Sequence, residues 1–311
     1  QHDGGIPQDM ALTSKSIGLT LGPLYFNWPA GRLADFYARI ADEAPVERVH
    51  LGEIVCGKRS PLTIDAIVAA AERLERGGKT VVWSGLISPV NKRERRMTRD
   101  LMQGDSIVEI NDFGALKDRQ DRPFVAGPFL NIYNEAALAL LASMGCERWC
   151  PRVELSLDAI SAIAAGNPAV EVELFAFGRL PLAHSGRCYH ARQNGLTKDS
   201  CQYVCEKDPD GAGVETLDGI PFLAYNGVQT LSHALHVSPF ASAALRQSGV
   251  SALRLSPHTG DMVAIAKAWR GFLDGRSDLD ALLAAIRGEM PGFDLVSGYL
   301  AGKPGREWAA P

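Results

Sequence analysis

Short runs of aliphatic and β-branched residues alternate with longer segments whose apolar positions recur every three or four residues. "SIGLTLGPL" (16–24) precedes "GRLADFYARIADEAP", and "VERVHLGEIV" (46–55) precedes "PLTIDAIVAAAERLERGG", where Gly77-Gly78 marks a helix stop. "KTVVWSGLIS" (79–88) leads to "NKRERRMTRDLMQG", and "SIVEIND" (106–112) to a short connection. "PFVAGPFLNIY" (123–133) precedes "NEAALALLASMG", "RWCPRVELS" (148–156) precedes "LDAISAIAAGN", and "AVEVELFAFGRLPL" (169–182) runs into a polar loop. Beyond that loop "GIPFLAYNG" reads as a strand or hairpin and "LSHALHVSPFASAALRQSG" as a helix. "VSALRLSPH" (250–258) reads as a strand and "DMVAIAKAWRGFLDG" as a helix, and a helix followed by coil fills the tail from Ser277.

About eight strands, most followed by a helix, predict parallel β/α packing. A doubly wound sheet would carry a glycine-rich phosphate turn after its first strand, and none is present, so the fold class expected is α/β, a TIM-like (β/α) barrel. The barrel should occupy residues 10–311 as one domain with an irregular cysteine-rich loop and a C-terminal helical tail; "QHDGGIPQD" before Met10 reads as an expression-tag remnant. No repeat of solenoid length is visible.

Composition changes this picture little. Of 311 residues, 46% are hydrophobic and 22% charged, which is ordinary for a globular enzyme. A net charge of -4 offers no general attraction for nucleic acid or an anionic membrane surface. No apolar run approaches the ~20 residues of a transmembrane helix, and nothing resembles a secretory signal, so a cytoplasmic location with reduced thiols is expected.

Cysteine carries the candidate chemistry. "SGRCYHARQNGLTKDSCQYVC" (185–205) has no apolar period, yet it holds Cys188, Cys201 and Cys205. Cys56 follows the strand "VHLGEIV", and Cys188 follows the strand ending near residue 182, so both should lie at the C-terminal mouth of the barrel. Four thiolates in a reduced compartment suit zinc, an iron–sulfur cluster, or no metal at all. Structural zinc favours paired short knuckles, of which there is one here, whereas a cubane accepts scattered ligands because each thiolate takes a different iron. A radical-type C-x₃-C-x₂-C triplet is absent.

Cys146 and Cys150 form a second C-x₃-C that reads as buried packing. His233 and His236, three apart on an expected helix, read as surface or packing residues. His50 and Glu53, on one expected strand with Cys56, could reach the mouth or serve the core. "NKRERRMTR" (91–99) reads as a solvated helix face, or as a basic patch for an acidic small substrate.

"ELFAFGRLPLAHSGRC" (173–188) resembles the signature of the collagenase-like peptidase superfamily, with Glu173, Phe175, Gly178, Ser185, Gly186 and Cys188 matching. Pro181 stands where most members carry their first cysteine, and "GEIVCGKRS" supplies Cys56 instead. That exchange, with "GIPFLAYNGVQTLS" (219–232), is similar to the ubiquinone-biosynthesis branch of the superfamily. The resemblance implies a barrel with a [4Fe–4S] cluster on Cys56, Cys188, Cys201 and Cys205. It implies a heterodimer with a related UbiU-like protein and a part in oxygen-independent hydroxylation of the ubiquinone-precursor ring. Candidate substrate-binding residues are His50, Glu53 and Glu173; no catalytic residue is assigned. The alternatives are a scaffold or binding subunit with a structural metal, or an RNA-modifying or peptidase relative.

Overall fold

The computed structural model describes residues 16–120 and 122–310, so the tag reading and the start at Met10 lie outside the described residues. Strand β1 (Gly18–Leu21) and helix α1 (Ala30–Glu43) open a series continued by β2 (Arg48–Leu51), α2 (Ser60–Arg76), β3 (Thr80–Ser84) and α3 (Lys92–Gln103). Then come β4 (Val108–Ile110), the short α4 (Leu116–Arg119), β5 (Phe124–Ala126), α5 (Glu135–Ser143), β6 (Cys146–Trp149), α6 (Leu157–Ala165) and the long β7 (Glu171–His184). After the short helix α7 (Tyr189–Gln193), β8 (Ala212–Glu215), β9 (Pro221–Asn226) and β10 (Gln229–Val237) form an antiparallel run. Helix α8 (Ser242–Gln247), β11 (Val250–Leu255), α9 (Met262–Leu273), α10 (Leu279–Glu289) and β12 (Leu295–Val296) complete the chain.

β1 to β7 pair in sequence order, all parallel, and β11 pairs with both β7 and β1, so eight parallel strands close into a barrel. The helices form because each has an apolar stripe to bury: Leu33, Tyr37, Ile40 and Ala41 of α1 are buried, as are Ile67, Ala70, Ala71 and Leu74 of α2. α3 starts at a reciprocal cap, where Asn91 accepts from the Glu94 amide at 2.9 Å and Glu94 accepts from the Val90 amide at 2.9 Å. Its arginines and Lys92 are exposed, while Glu94, Thr98 and Met102 are buried.

Strand alternation sorts the barrel wall. Leu19 and Leu21, Val49 and Leu51, Val108 and Ile110, and Leu253 and Leu255 are buried apolar positions on their strands. The residues between them, Thr20, His50, Glu109 and Arg254, contact one another or Glu173 across the barrel, so they point inward. The interior is therefore a charged network, where barrels of this kind usually stack branched aliphatic side chains.

The signature glycine has a structural reason. Residues 172–177 of β7 run parallel to β11, but residues 177–184 run antiparallel to β10. Gly178 sits at that change with φ +120°, and a Cβ there would lie 2.7 Å from the Cβ of Ser256. The strand leaves the barrel at this point and extends into the antiparallel sheet over the mouth.

Several sequence expectations are corrected. Residues 231–237 lie on β10, with His233 and His236 on a strand; only Ser242–Gln247 of the expected helix is helical. Leu231 and Leu235 satisfy both a helical and a two-residue period, and pairing with the overhanging half of β7 decides the outcome. β6 begins at Cys146 and ends at Trp149, earlier than the run 148–156. β2 ends at Leu51, so Glu53 and Cys56 lie in the loop beyond it and not on one strand with His50. The cysteine segment contains α7, and the tail contains β12 paired to β10.

Candidate metal centre

Three separate stretches of chain meet over the mouth. The β2–α2 loop brings Cys56, Lys58 and Arg59; the segment after β7 brings Cys188, His190, Lys198, Cys201, Tyr203 and Cys205; the β9–β10 turn brings Gly227. All four cysteines expected as ligands line this one cavity. All six cysteines of the chain are free thiols, and Cys146 and Cys150 are buried elsewhere, on and just after β6. Burial pushes the Cys146 thiol up to about 11 and the Cys150 thiol up to about 12.

The cavity is held by hydrogen bonds whose donors and acceptors come from all three stretches. Lys58 Nζ donates to the carbonyls of Lys198 at 2.7 Å and Asp199 at 3.0 Å, and Tyr203 Oη donates to the Lys58 carbonyl at 3.2 Å. Gln202 and Tyr203 both have left-handed backbones, at φ 48° and 54°, where the chain turns between Cys201 and Cys205. Gly227, at φ +62°, makes the tight turn between β9 and β10, and a Cβ there would meet the Arg59 guanidinium at 2.9 Å. Its amide donates to His190 Nδ1 at 2.8 Å, which fixes the tautomer: Nε2 carries the proton and donates to Asp208 at 3.0 Å.

Arg59 is the feature that sequence reading missed. It is 2% exposed, donating to the Tyr25 carbonyl at 2.9 Å and to Asn226 Oδ1 at 3.0 Å, with Glu53 at 3.9 Å. Burial pushes the Cys205 and Cys56 thiols up, while the Arg59 charge pulls both down. Its only sequence signal was its place three residues after Cys56.

Glu53 stands beside this site: its Oε1 accepts from the amides of Val55 at 2.8 Å and Cys56 at 2.9 Å, fixing the loop that carries Cys56. Burial pushes its carboxyl up, against the pull of Arg59. His50 and Glu173 lie together elsewhere, in the barrel interior, 3.7 Å apart. There His50 also faces Glu109 at 3.2 Å, and Arg254 binds both carboxylates. Burial raises the Glu173 carboxyl, but Arg254, His50 and Arg148 outweigh it and hold the group at about 2. Glu109 is likewise held below the ordinary range, with burial opposed chiefly by Arg254 and His50. Glu173 is near the start of β7 and Cys188 follows its end, so the candidates divide into a mouth group and an interior group.

Among the described residues, no group of three or more His, Cys, Asp or Glu side chains is gathered so as to hold a single metal ion. Nor is any helix among them long and apolar enough to cross a membrane.

The family model of peptidase family U32 matches residues 31–307. Among solved structures, a protein of the tryptophan synthase complex from Pyrococcus furiosus aligns at 10% identity and TM-score 0.39, over 92% of this chain and 99% of that one. An uncharacterised Clostridium thermocellum protein that binds two copies of 5-methyl-5,6,7,8-tetrahydrofolic acid aligns at 11% identity and TM-score 0.41, over 89% and 96%. A truncated 3-deoxy-D-arabino-heptulosonate 7-phosphate synthase from Thermotoga maritima aligns at 11% identity and TM-score 0.34, over 91% and 93%.

Proposed function

The chain belongs to peptidase family U32, and from that membership we propose that it is a UbiV-like, cluster-bearing subunit of an oxygen-independent ubiquinone-precursor hydroxylase. The peptidase in the family's name is not the activity proposed. One observation carries the reading: four free cysteines from two distant parts of the chain line a single cavity beside a buried arginine. Four thiols with only one short Cys-x₃-Cys pair among them suit a cluster, in which each thiolate takes a different iron, better than structural zinc, which favours paired short knuckles.

Cys56, Cys188, Cys201 and Cys205 would hold a [4Fe–4S] cluster, whose chemistry is one-electron transfer. Around it Arg59 offsets thiolate charge, Lys58 and Tyr203 pin the loop, and His190 ties α7 to the β9–β10 turn. Four protein thiolates satisfy every iron, so the residues serve electron transfer rather than substrate binding at the metal.

Purified and reconstituted without oxygen, the protein is expected to be brown, with broad absorbance near ~400 nm and about four irons per chain. Cys205→Ala is expected to lose most of that absorbance while keeping the circular dichroism of the barrel. Colourless protein with one zinc per chain would overturn the reading. A scaffold role, favoured by the sparse secondary structure of the 185–205 segment, predicts instead that Cys→Ala changes lose folding or partner binding together with the metal; anaerobic ubiquinone formation by a cluster-free variant that keeps the complex intact would exclude the redox role.

A UbiU-like partner is proposed to cover the mouth. The β8–β9 hairpin beside the cysteine segment exposes Leu217, Ile220 and Phe222, the last two at 56%. A stable complex should bury at least ~1,200 Å². Co-expressed with such a partner, the two chains should co-elute in size exclusion at micromolar concentration; separate elution with both clusters intact rules out the stable heterodimer.

A further inference from the structure

Helices α2 and α3 expose two different kinds of side chain next to each other. With five cations and two acids, residues 92–103 carry +3 in a chain of net charge -4, so the rest of the molecule carries -7. Glu94, one of those acids, is buried in the cap at Val90 and Asn91, whereas Lys92, Arg93, Arg95, Arg96 and Arg99 are all exposed. Two of the five pair with an acid among the described residues, Arg96 with Asp100 at 3.7 Å and Arg99 with Asp118 at 3.8 Å. Both pairs are long and solvated, so they neutralise little of the charge.

The first turns of α2 are almost uncharged: Asp65 is the only ionised side chain from Ser60 to Ala71. Ile64 and Val68 lie one turn apart, 46% and 44% exposed, and Val90, just ahead of α3, is 47% exposed. The apolar and basic surfaces are continuous. Ile64 faces Met97 across the slot between the helices, and Arg93 stands one turn before Met97 on α3. None of these residues lines the cysteine cavity or belongs to the β8–β9 hairpin.

We propose that this two-helix face docks on an anionic membrane surface, with Lys92, Arg93 and Arg96 among the lipid phosphates and Ile64, Val68 and Val90 pressed into the headgroup boundary. Half-exposed aliphatic side chains beside weakly paired guanidinium groups match a surface that is anionic outside and hydrocarbon beneath. The net charge of -4 excludes a general attraction but leaves an oriented one: the face at +3 is drawn to the lipid while the remainder, at -7, is repelled. A nucleic acid would pair with the arginines and leave the aliphatic side chains uncovered.

The test is sedimentation of the full-length protein with vesicles of phosphatidylcholine alone or of phosphatidylcholine mixed with phosphatidylglycerol. Saturable binding is expected on the mixed vesicles at low salt and none on phosphatidylcholine alone. Binding should be lost at about 1 M salt, where screening shortens to about 3 Å. Each cation near such a surface strengthens binding about fivefold, so Arg93→Gln together with Arg96→Gln should weaken it about 25-fold. Ile64→Ser together with Val68→Ser should weaken it about tenfold, by removing apolar area from the contact. Arg246→Gln, an exposed change on α8 across the barrel, should leave it unchanged. The altered positions are all exposed or half-exposed, so the melting temperatures should match the parent's.

Failure to bind the mixed vesicles at low salt, or equal binding to both kinds, would overturn the proposal. So would parental affinity in either the arginine pair or the aliphatic pair, or an equal loss in Arg246→Gln. RNA of mixed sequence that strips the protein from the vesicles at equal phosphate concentration would assign the face to nucleic acid instead. The readout needs neither cluster nor turnover, so its failure leaves the reading of the cysteine cavity untouched.

Discussion

Replacing Arg254 by methionine is expected to destabilise the fold by about 3–5 kcal/mol, the usual cost of stranding one side of a buried ion pair. Arg254 is fully buried, with Nε 2.5 Å from Glu173 Oε1 and Nη2 bonded to Glu109. Both carboxylates are completely shielded from water, and Arg148, 2.9 Å from Glu173, cannot serve Glu109 as well. His50 is a poor substitute, because burial pushes its pKa down and disfavours the charged imidazolium. Methionine fills the stem of the arginine and leaves two carboxyls to protonate or repel. Denaturant titration of the two proteins at pH 7 measures the loss.

The same geometry fixes the sign of a pH effect. Glu173 and Glu109 are held below their ordinary value of 4.5, Glu173 at about 2, so folding favours their ionised forms. The stability they confer is whole above pH 4.5 and is lost as pH falls toward 2. In Arg254→Met burial acts without its main opponent and raises both groups, so the gap to the parent should narrow as pH falls below 7. A variant that loses less than about 1 kcal/mol and keeps the parent's acid profile would show that the network is not ionised.

Arg59→Met is expected to release most of the iron from anaerobically reconstituted protein and to cost about 3–5 kcal/mol of stability in the same preparation. One guanidinium joins the loop after β1, through the Tyr25 carbonyl, to the β9–β10 turn, through Asn226, with Glu53 at 3.9 Å. It also supplies positive charge beside Cys56 and Cys205. Without it Glu53 is buried unpaired and the thiolates lose their nearest compensating charge. Arg59→Lys restores the charge but not the fork that reaches Tyr25 and Asn226 together, so iron retention should be intermediate. Full iron and an unchanged melting temperature in Arg59→Met would exclude this role.

These two arginines mark where sequence reading ends. The barrel was legible because parallel strands covered by helices are near-continuous apolar runs, and the helices that follow carry a stripe at three and four. The meeting of Cys56 with Cys188 was legible because both follow strands that end at one mouth. Arg254 and Glu109 look on paper like any solvated charge; only strand alternation combined with closure turns them inward to face each other. Arg59 was equally silent, since nothing in "CGKRS" says that the fourth residue is buried. Residues 231–237 misled because Leu231 and Leu235 fit two periods, and the choice belongs to β7, far away in sequence.

The bend at Gly178 bears on the order in which the molecule can be completed. Around the wall, β11 and β1 stand between β7, which precedes Cys188, and β2, which precedes Cys56. During synthesis Cys205 leaves the ribosome before β11 exists, so at that moment the seam between β7 and β1 is open. Bringing Cys56 to Cys205 then requires closing a long loop of unfolded chain, with its entropy cost, and little is gained until β11 fills the gap. A cluster held by these four cysteines would therefore assemble on finished barrels in preference to nascent ones, and once in place it would fasten the last seam to close.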